Sequence, residues 1–350
     1  MSFSENAILT KSRAIYAKRL TDRNYKELLG CSSIAEAANY LATKTHYSEV
    51  FSDVTSAKIN RMMIESLLKR CLLNRLLSLC HFSKILGNEL YQYIVIKNDI
   101  TAILSCLRHM ETPNKYDFLI SLPVFLDKIT SVDMMKLAKT ENFEQVLNEL
   151  SHTPYQSILE KFKNEKIDMI KIENALNDFM YKKTYEIAKK KLSKKEFEEV
   201  IGLFRMNADL KFISNIFRLK KYFNMSAQKI KEYDFDVKVT ALDRKQIEAM
   251  ISAENVNEMY EIIDKTVYGK KLNCRNFERF EDWTLQYKHN EMSHKAIYST
   301  APNVVMVCCN FLAEIEIKNI TNIIQGIKYQ IPEADIEKNL IGYQNLKKGG

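Results

Sequence analysis

Glycine and proline are scarce. The 350 residues hold eight of the first and five of the second, where average usage would supply about 25 and about 17. Tight turns, hairpins and strand-to-helix loops draw on these two residues. Their shortage argues against sheet folds and for long helices joined by few sharp turns, an all-α protein. Long apolar runs are missing too. The longest, Val304 to Cys309, falls far short of the ~20 residues a bilayer-spanning helix needs. The seven cysteines contain no CxxC pair. With no signal peptide, they read as reduced intracellular thiols.

Catalytic signatures are also lacking. No two glycines stand five apart ahead of Lys-Ser/Thr, so there is no phosphate-binding loop, and neither GxGxxG nor G-x-S-x-G occurs. None of the six histidines precedes an aspartate, and no aspartate-rich box is present. His289 and His294 flank Glu291 but lie five apart, whereas a zinc helix needs i, i+4 on one face. The expectation is a protein with no catalytic residues, no metal and no cofactor.

The charge balance is mildly basic, with 52 Lys and Arg against 44 Asp and Glu. This permits an acidic partner or an anionic surface without demanding one. Runs such as Ala188 to Lys195 fit a solvated helix face. Nucleic-acid binding would need cations gathered on one face with aromatics between them. Here they are spread along the chain.

The chain repeats itself. "VIKNDITAILSCLR" (Val95–Arg108), "RMNADLKFISNIFR" (Arg205–Arg218) and "EIEIKNITNIIQGIK" (Glu314–Lys328) carry the same apolar stripe at helical spacing. A polar residue opens each stripe, Asp99, Asp209 and Asn319, spaced 110 apart. A cation closes each, Arg108, Arg218 and Lys328, again 110 apart. Upstream lies a second repeated segment: a short helix, a polar break, a Ser- or Asn-containing helix start, and a second helix ending in Thr-x-Tyr. The endings are Thr45-His46-Tyr47, Thr153-Pro154-Tyr155 and Thr266-Val267-Tyr268. Each tyrosine reads as a packing anchor with its hydroxyl on a nearby partner. Two motifs in fixed order, three times, predict three tandem helical bundles, residues 1–112, 113–224 and 225–350, with breaks near Pro113 and Asn224. Threefold repetition invites a closed arrangement around an axis or a shallow curved one.

One residue violates the pattern. Glu316 falls inside its apolar stripe, and a buried carboxylate must be bonded or paired. Lys318 and cations on other units are candidates. Two readings stand: the polar stripe residues are bonded internally between helices, or they line a socket for a partner. The second makes Asp99, Asp209, Glu316, Asn319, Arg108, Arg218 and Lys328 partner-binding candidates. Trp283, the only tryptophan, lies with Phe277, Phe280, Thr284 and Tyr287 at helical spacing. Core packing suits it better than an exposed anchor.

The order of these motifs resembles the C subunit of bacterial and archaeal V/A-type rotary ATPases, called the d subunit in the eukaryotic enzyme. "SRAIYAKRLTDRNYKELLGCSSIAEAANYLATKTHYSEV" is similar to that family's opening. "NDITAILSCLR" resembles its Asp-Ile-x-x-Ile-Leu-Arg helix, and "EIEIKNITNIIQGIKYQIPEADIEKNLI" its Glu-Ile-Arg-Asn segment with Gly and a Leu-Pro turn. The chain departs from that pattern with Lys318 in place of Arg and Gln325 in place of an acid. The resemblance implies a funnel of three bundles with a polar central cavity. It implies a peripheral seat on the cytoplasmic end of the membrane rotor ring, with the foot of the central shaft in the cavity. It implies a mechanical role in proton or sodium transport, with no active site in this chain. A helical-repeat scaffold that binds nucleic acid or an acidic protein partner is the alternative.

Overall fold

The computed structural model describes residues 3–51, 59–85, 87–110, 130–164, 167–233 and 240–343. Every regular element among them is a helix. The break expected near Pro113 lies outside these residues. At the other, Asn224 adopts φ 47° just past a long helix, a left-handed conformation that asparagine tolerates.

The chain opens with α1 (Phe3–Ala17), then α2 (Asp22–Leu29), α3 (Ile34–Lys44) and α4 (Ser48–Phe51). A hairpin of long helices follows, α5 (Arg61–Ile85) and α6 (Gln92–Met110). The same order recurs: short α7 (Met134–Leu137), α8 (Phe143–Glu149) and α9 (Tyr155–Leu159), then long α10 (Met169–Lys191) and α11 (Lys194–Lys221). It recurs again with α12 (Ala227–Lys231), α13 (Arg244–Ser252) and α14 (Val256–Asp264) before α15 (Phe280–Tyr298) and α16 (Pro302–Lys328). The short α17 (Glu333–Glu337) packs back on α16.

Local sequence explains the recurrence. Ser33, Asn142 and Asn255 are the N-caps of α3, α8 and α14, each extended (φ −146°, −149° and −144°), and each accepts the backbone N–H three residues on. The side chains of Glu36, Gln145 and Glu258 reach back to the amides of Ser32, Glu141 and Glu254, at 2.7, 2.6 and 2.7 Å. The bonds to the caps satisfy donors that every helix start leaves open, and the returning side chains tie down the residue ahead of each cap. At the far end, Thr45, Thr153 and Thr266 turn their hydroxyls onto carbonyls at or just past the end of the preceding helix, those of Leu41, Leu150 and Ile263. The tyrosine two residues on is thereby aimed inward. Gly269 follows the third tyrosine where a Cβ would lie 2.1 Å from the Ile263 carbonyl oxygen, so only glycine fits.

Long helix α16 is the spine, packing along α1, α5, α11 and α15. Its first half is buried almost without interruption. The apolar core falls into three clusters. One joins Ile96–Leu107 of α6 to Val132–Met180. A second, the largest, centres on α11, α15 and the first half of α16. The third joins residues between Leu20 and Cys71 to Ile320, Ile323 and Ile324 of α16 and to Ile336 and Leu340. Residues from the two ends of the sequence therefore share one core.

Candidate functional site

The buried acids and the repeated tyrosines meet. Asp99, on α6, is fully buried and accepts three hydrogen bonds, from the Ser131 amide (2.8 Å), the Ser131 hydroxyl (2.5 Å) and the Tyr155 hydroxyl (2.7 Å). Asp209, on α11, repeats the arrangement with the Thr240 hydroxyl (2.5 Å), the Ala241 amide (2.9 Å) and the Tyr268 hydroxyl (2.5 Å). On α16 the acid is Glu316, which accepts from the Leu20 amide (2.6 Å) and the Tyr47 hydroxyl (2.7 Å). Each acid thus ties a long helix to the loop that starts a short-helix pair and to the tyrosine that ends it.

Two features of these brackets depart from the sequence reading. The 110-residue register sets Asn319 beside Asp99 and Asp209, but the geometry sets Glu316 there, three residues and close to one turn earlier. Asn319 does a different job: its side chain donates to the Ile341 carbonyl (2.8 Å) and accepts from the Ile341 amide (2.9 Å), fastening the segment after α17. Second, Tyr155 and Tyr268 each serve an acid that lies before them in the sequence, Asp99 and Asp209, whereas Tyr47 serves Glu316, which lies far after it. The extra methylene of Glu316 lets it reach the amide next to the N-cap Thr21, whereas Ser131 and Ala241 stand two residues before the N-caps Asp133 and Asp243. Lys318 does not neutralise Glu316. It pairs with Asp282 at 3.3 Å.

The electrostatics follow from burial. Asp99 and Asp209 have carboxyls pushed above the usual range by burial, against the pull of their hydroxyl and amide donors. Glu316 is raised for the same reason, opposed by the Leu20 amide, the Tyr47 hydroxyl and the charges of Arg75 and Arg19. The three tyrosines are raised by burial and by the acids they face. Where the first two brackets have a Ser or Thr hydroxyl, the third has His46. Its Nδ1 lies 2.5 Å from the Lys18 carbonyl, which only accepts, so Nδ1 carries the hydrogen and bare Nε2 faces Glu316 Oε1 at 3.4 Å. Burial first, then Arg75, lowers the His46 imidazole to about 4, and the carboxyl is raised.

A pH effect follows. Unfolded His46 takes up a proton near 6.5, while the folded ring resists until about 4. The stability contributed by the neutral ring is lost as pH falls through that window, about 3 kcal/mol in all. The three raised carboxyls act in the opposite sense, gaining stability as pH falls, so the His46 contribution is read as a difference: between pH 7 and pH 4.5, urea denaturation is expected to show the parent losing more stability, or gaining less, than His46→Gln. Identical changes in both would contradict it.

The seven candidates are not gathered in one place. The three acids and Asn319 are buried and bonded within the chain. Arg108, Arg218 and Lys328 are exposed. Arg108 pairs with Glu173 at 3.4 Å, Arg218 with Glu281 at 3.9 Å, and Lys328 lies over the Tyr329 ring at 5.2 Å. Exposed pairs of this kind contribute little.

What the sequence reading missed lies on the opposite side of the same helices. Two residues before an acid is about 200° round the helix. The residues there, Lys97, Asn207 and Glu314, all line one cavity of about 330 Å³. Lys97 grips both oxygens of Glu314 (2.5 and 2.6 Å), and Lys211 holds Glu173 at 2.8 Å across it. The signal is a polar residue at constant offset from each acid, which reads as solvated surface in a single helix.

Other candidates resolve simply. Trp283 is fully buried and donates its indole N–H to the Leu272 carbonyl at 2.8 Å. His289 and His294 belong to no metal-binding arrangement, and none occurs among the described residues. All seven cysteines are free. No described helix is long and apolar enough to cross a membrane.

A helical protein with one hydrogen-bonded bracket written three times is a repeat protein, and its family is identifiable. The chain belongs to the ATP synthase (C/AC39) subunit family, whose model matches residues 8–339. It is 28% identical to the A-type ATP synthase C subunit of Methanosarcina mazei over 219 residues, 61% of this chain and 58% of that one. The Desulfurococcus counterpart is 23% identical over 263 residues, 74% of this chain and 68% of that one. The Methanosarcina barkeri protein is 26% identical over 220 residues, 61% of this chain and 58% of that one. The match thus spans less than two thirds of the length of the Methanosarcina relatives.

Proposed function

We propose that this chain is a non-catalytic central-stalk subunit of an A/V-type rotary ATPase or ATP synthase. It seats on the cytoplasmic end of the membrane rotor ring, receives the foot of the central shaft, and passes torque between them. Membership of the ATP synthase (C/AC39) subunit family supports the complex it belongs to. The observation that carries the mechanical role is the shared cavity: one residue from each acid-bearing helix, Lys97, Asn207 and Glu314, meets the others there. Three repeat units, 1–112, 113–224 and 225–350, each supply one such helix.

The geometry suits the task. A body that transmits torque must resist twisting between its parts. Here each long helix is bonded, through a buried carboxyl, to the loop and tyrosine of a short-helix pair. Buried hydrogen-bonded networks of this kind rigidify a core. An α-helix is about 10 Å across, so a 330 Å³ cavity takes the side chains of a docked helix end and not its body. The basic excess of 8 suits acidic partner surfaces and peripheral contact with lipid headgroups.

Pull-down of the tagged chain from native membranes, with mass spectrometry, is expected to recover ring and shaft subunits of one rotary ATPase. The purified chain alone is expected to hydrolyse no nucleotide. Recovery of the chain with no ATPase subunit would overturn the assignment.

A further inference from the structure

The same cavity holds a charge that the coupling role leaves unused. Three lysines reach it, Lys97 from α6, Lys211 from α11 and Lys288 from α15, against two carboxylates, Glu173 from α10 and Glu314 from α16. Lys97 is held by Glu314 and Lys211 by Glu173. Glu173 also takes Arg108. Both carboxylates are therefore committed. Lys288 has no carboxylate within ion-pair distance among the described residues. Its neighbour is the Phe311 ring, 6.0 Å from ammonium to centroid, the outer limit of a cation–π interaction.

We propose that this cavity is an oxyanion site, in which the Lys288 ammonium takes a carboxylate or phosphate group that enters from solvent. Lys288 is half-buried; an ammonium partly drawn out of water without a counter-ion raises the free energy of the fold, and an entering oxyanion offsets that cost with a charge-assisted hydrogen bond. Access is open, since the side chains of Lys97 and Glu314 at the cavity are 33% and 34% exposed. The volume is within the range of small-ligand pockets and accommodates a short dicarboxylate or an acidic side chain of a docked partner.

The surroundings set the pH dependence. Burial is the main cause that lowers the Lys288 amine, to about 8, and the Lys211 and Lys97 charges lower it further, with Glu314 opposing. The remaining titratable groups that line the cavity are Glu173, Tyr93 and Tyr181. An anion binds the charged amine, so affinity is greatest below pH 8 and falls above it. The site rests on the cavity and not on the torque reading, and it stands or falls on a binding measurement made without any partner.

The test is calorimetric titration of the full chain with glutarate and, separately, with inorganic phosphate, in chloride-matched buffers. One glutarate per chain is expected at pH 7, with affinity falling as pH rises from 8 to 9. Lys288→Met keeps the stem against Phe311 and removes the charge, and is expected to weaken binding about tenfold or more. Lys295→Met, on the same helix outside the cavity, is expected to leave it unchanged. Binding of both probes assigns the site to oxyanions in general, and binding of glutarate alone to a carboxylate-bearing ligand. Absence of binding overturns the proposal, as does binding undiminished in Lys288→Met or, without reference to any variant, affinity that does not fall above pH 8.

Discussion

Asp209→Leu is expected to destabilise the protein by about 4 kcal/mol. The carboxylate is fully buried and accepts from the Thr240 hydroxyl, the Ala241 amide and the Tyr268 hydroxyl. Leucine leaves those three donors without a partner, at about 1–3 kcal/mol each, and recovers part of that by relieving the buried charge. Removing a single donor costs less: Tyr268→Phe is expected to lose about 1 kcal/mol. Urea denaturation of both variants and of the double variant measures the coupling directly. The outcome also decides between the two readings of these acids. An acid that met a partner in a socket would leave the isolated chain unchanged when replaced and would damage assembly alone. A fall in intrinsic stability of that size makes the bracket an internal tie, and no measurable fall would refute it.

Trp283→Ala is expected to cost a similar amount, about 4 kcal/mol. Trp283 is fully buried, its ring lies 5.0 Å from that of Phe280, and Phe280 stacks on Phe217 at 4.0 Å. This stack holds α15 to α11. Truncation opens a cavity at that junction and strands the Leu272 carbonyl. Trp283→Phe keeps most of the volume and forfeits the indole bond, for about 1 kcal/mol. As the only tryptophan, Trp283 also reports on itself: the native chain is expected to emit at short wavelength and to shift red in a single step on unfolding. A loss below about 1 kcal/mol in Trp283→Ala would mean that the junction does not depend on it.

Much of the architecture is legible in the residues. Scarce glycine and proline point to helices, and helices alone make up the regular structure of the described residues. The Ser and Asn breaks that read as helix starts are the N-caps Ser33, Asn142 and Asn255. The Thr-x-Tyr endings read as anchors, and all three hydroxyls find partners. The acid of the last repeat escapes the register because an apolar helical stripe matches itself almost equally well when slid by three or four residues. Asn319 and Glu316 are one such slide apart, and what separates them is their contacts, Glu316 with the Leu20 amide and the Tyr47 hydroxyl, Asn319 with Ile341. The Tyr47 contact spans two repeats, which an alignment of each repeat to the next does not reveal. The cavity residues Lys97, Asn207 and Glu314 are invisible for another reason. On one helix they are ordinary polar positions, and they acquire meaning only when three helices point them at the same space.

The third bracket differs from the others in its span. Tyr155 and Tyr268 lie 56 and 59 residues from their acids, and Tyr47 lies 269 from Glu316. By loop-closure entropy alone that longer span costs only about 1.4 kcal/mol more, but on the ribosome it is a delay. At about 5–20 residues per second, Tyr47 is made roughly 13–54 s before Glu316. Through that interval α2, α3 and α5 lack Ile320, Ile323 and Ile324, the residues that complete their core. An early-made part of the chain must therefore wait for a late-made one before its core can close, and through that interval it stays open to a chaperone.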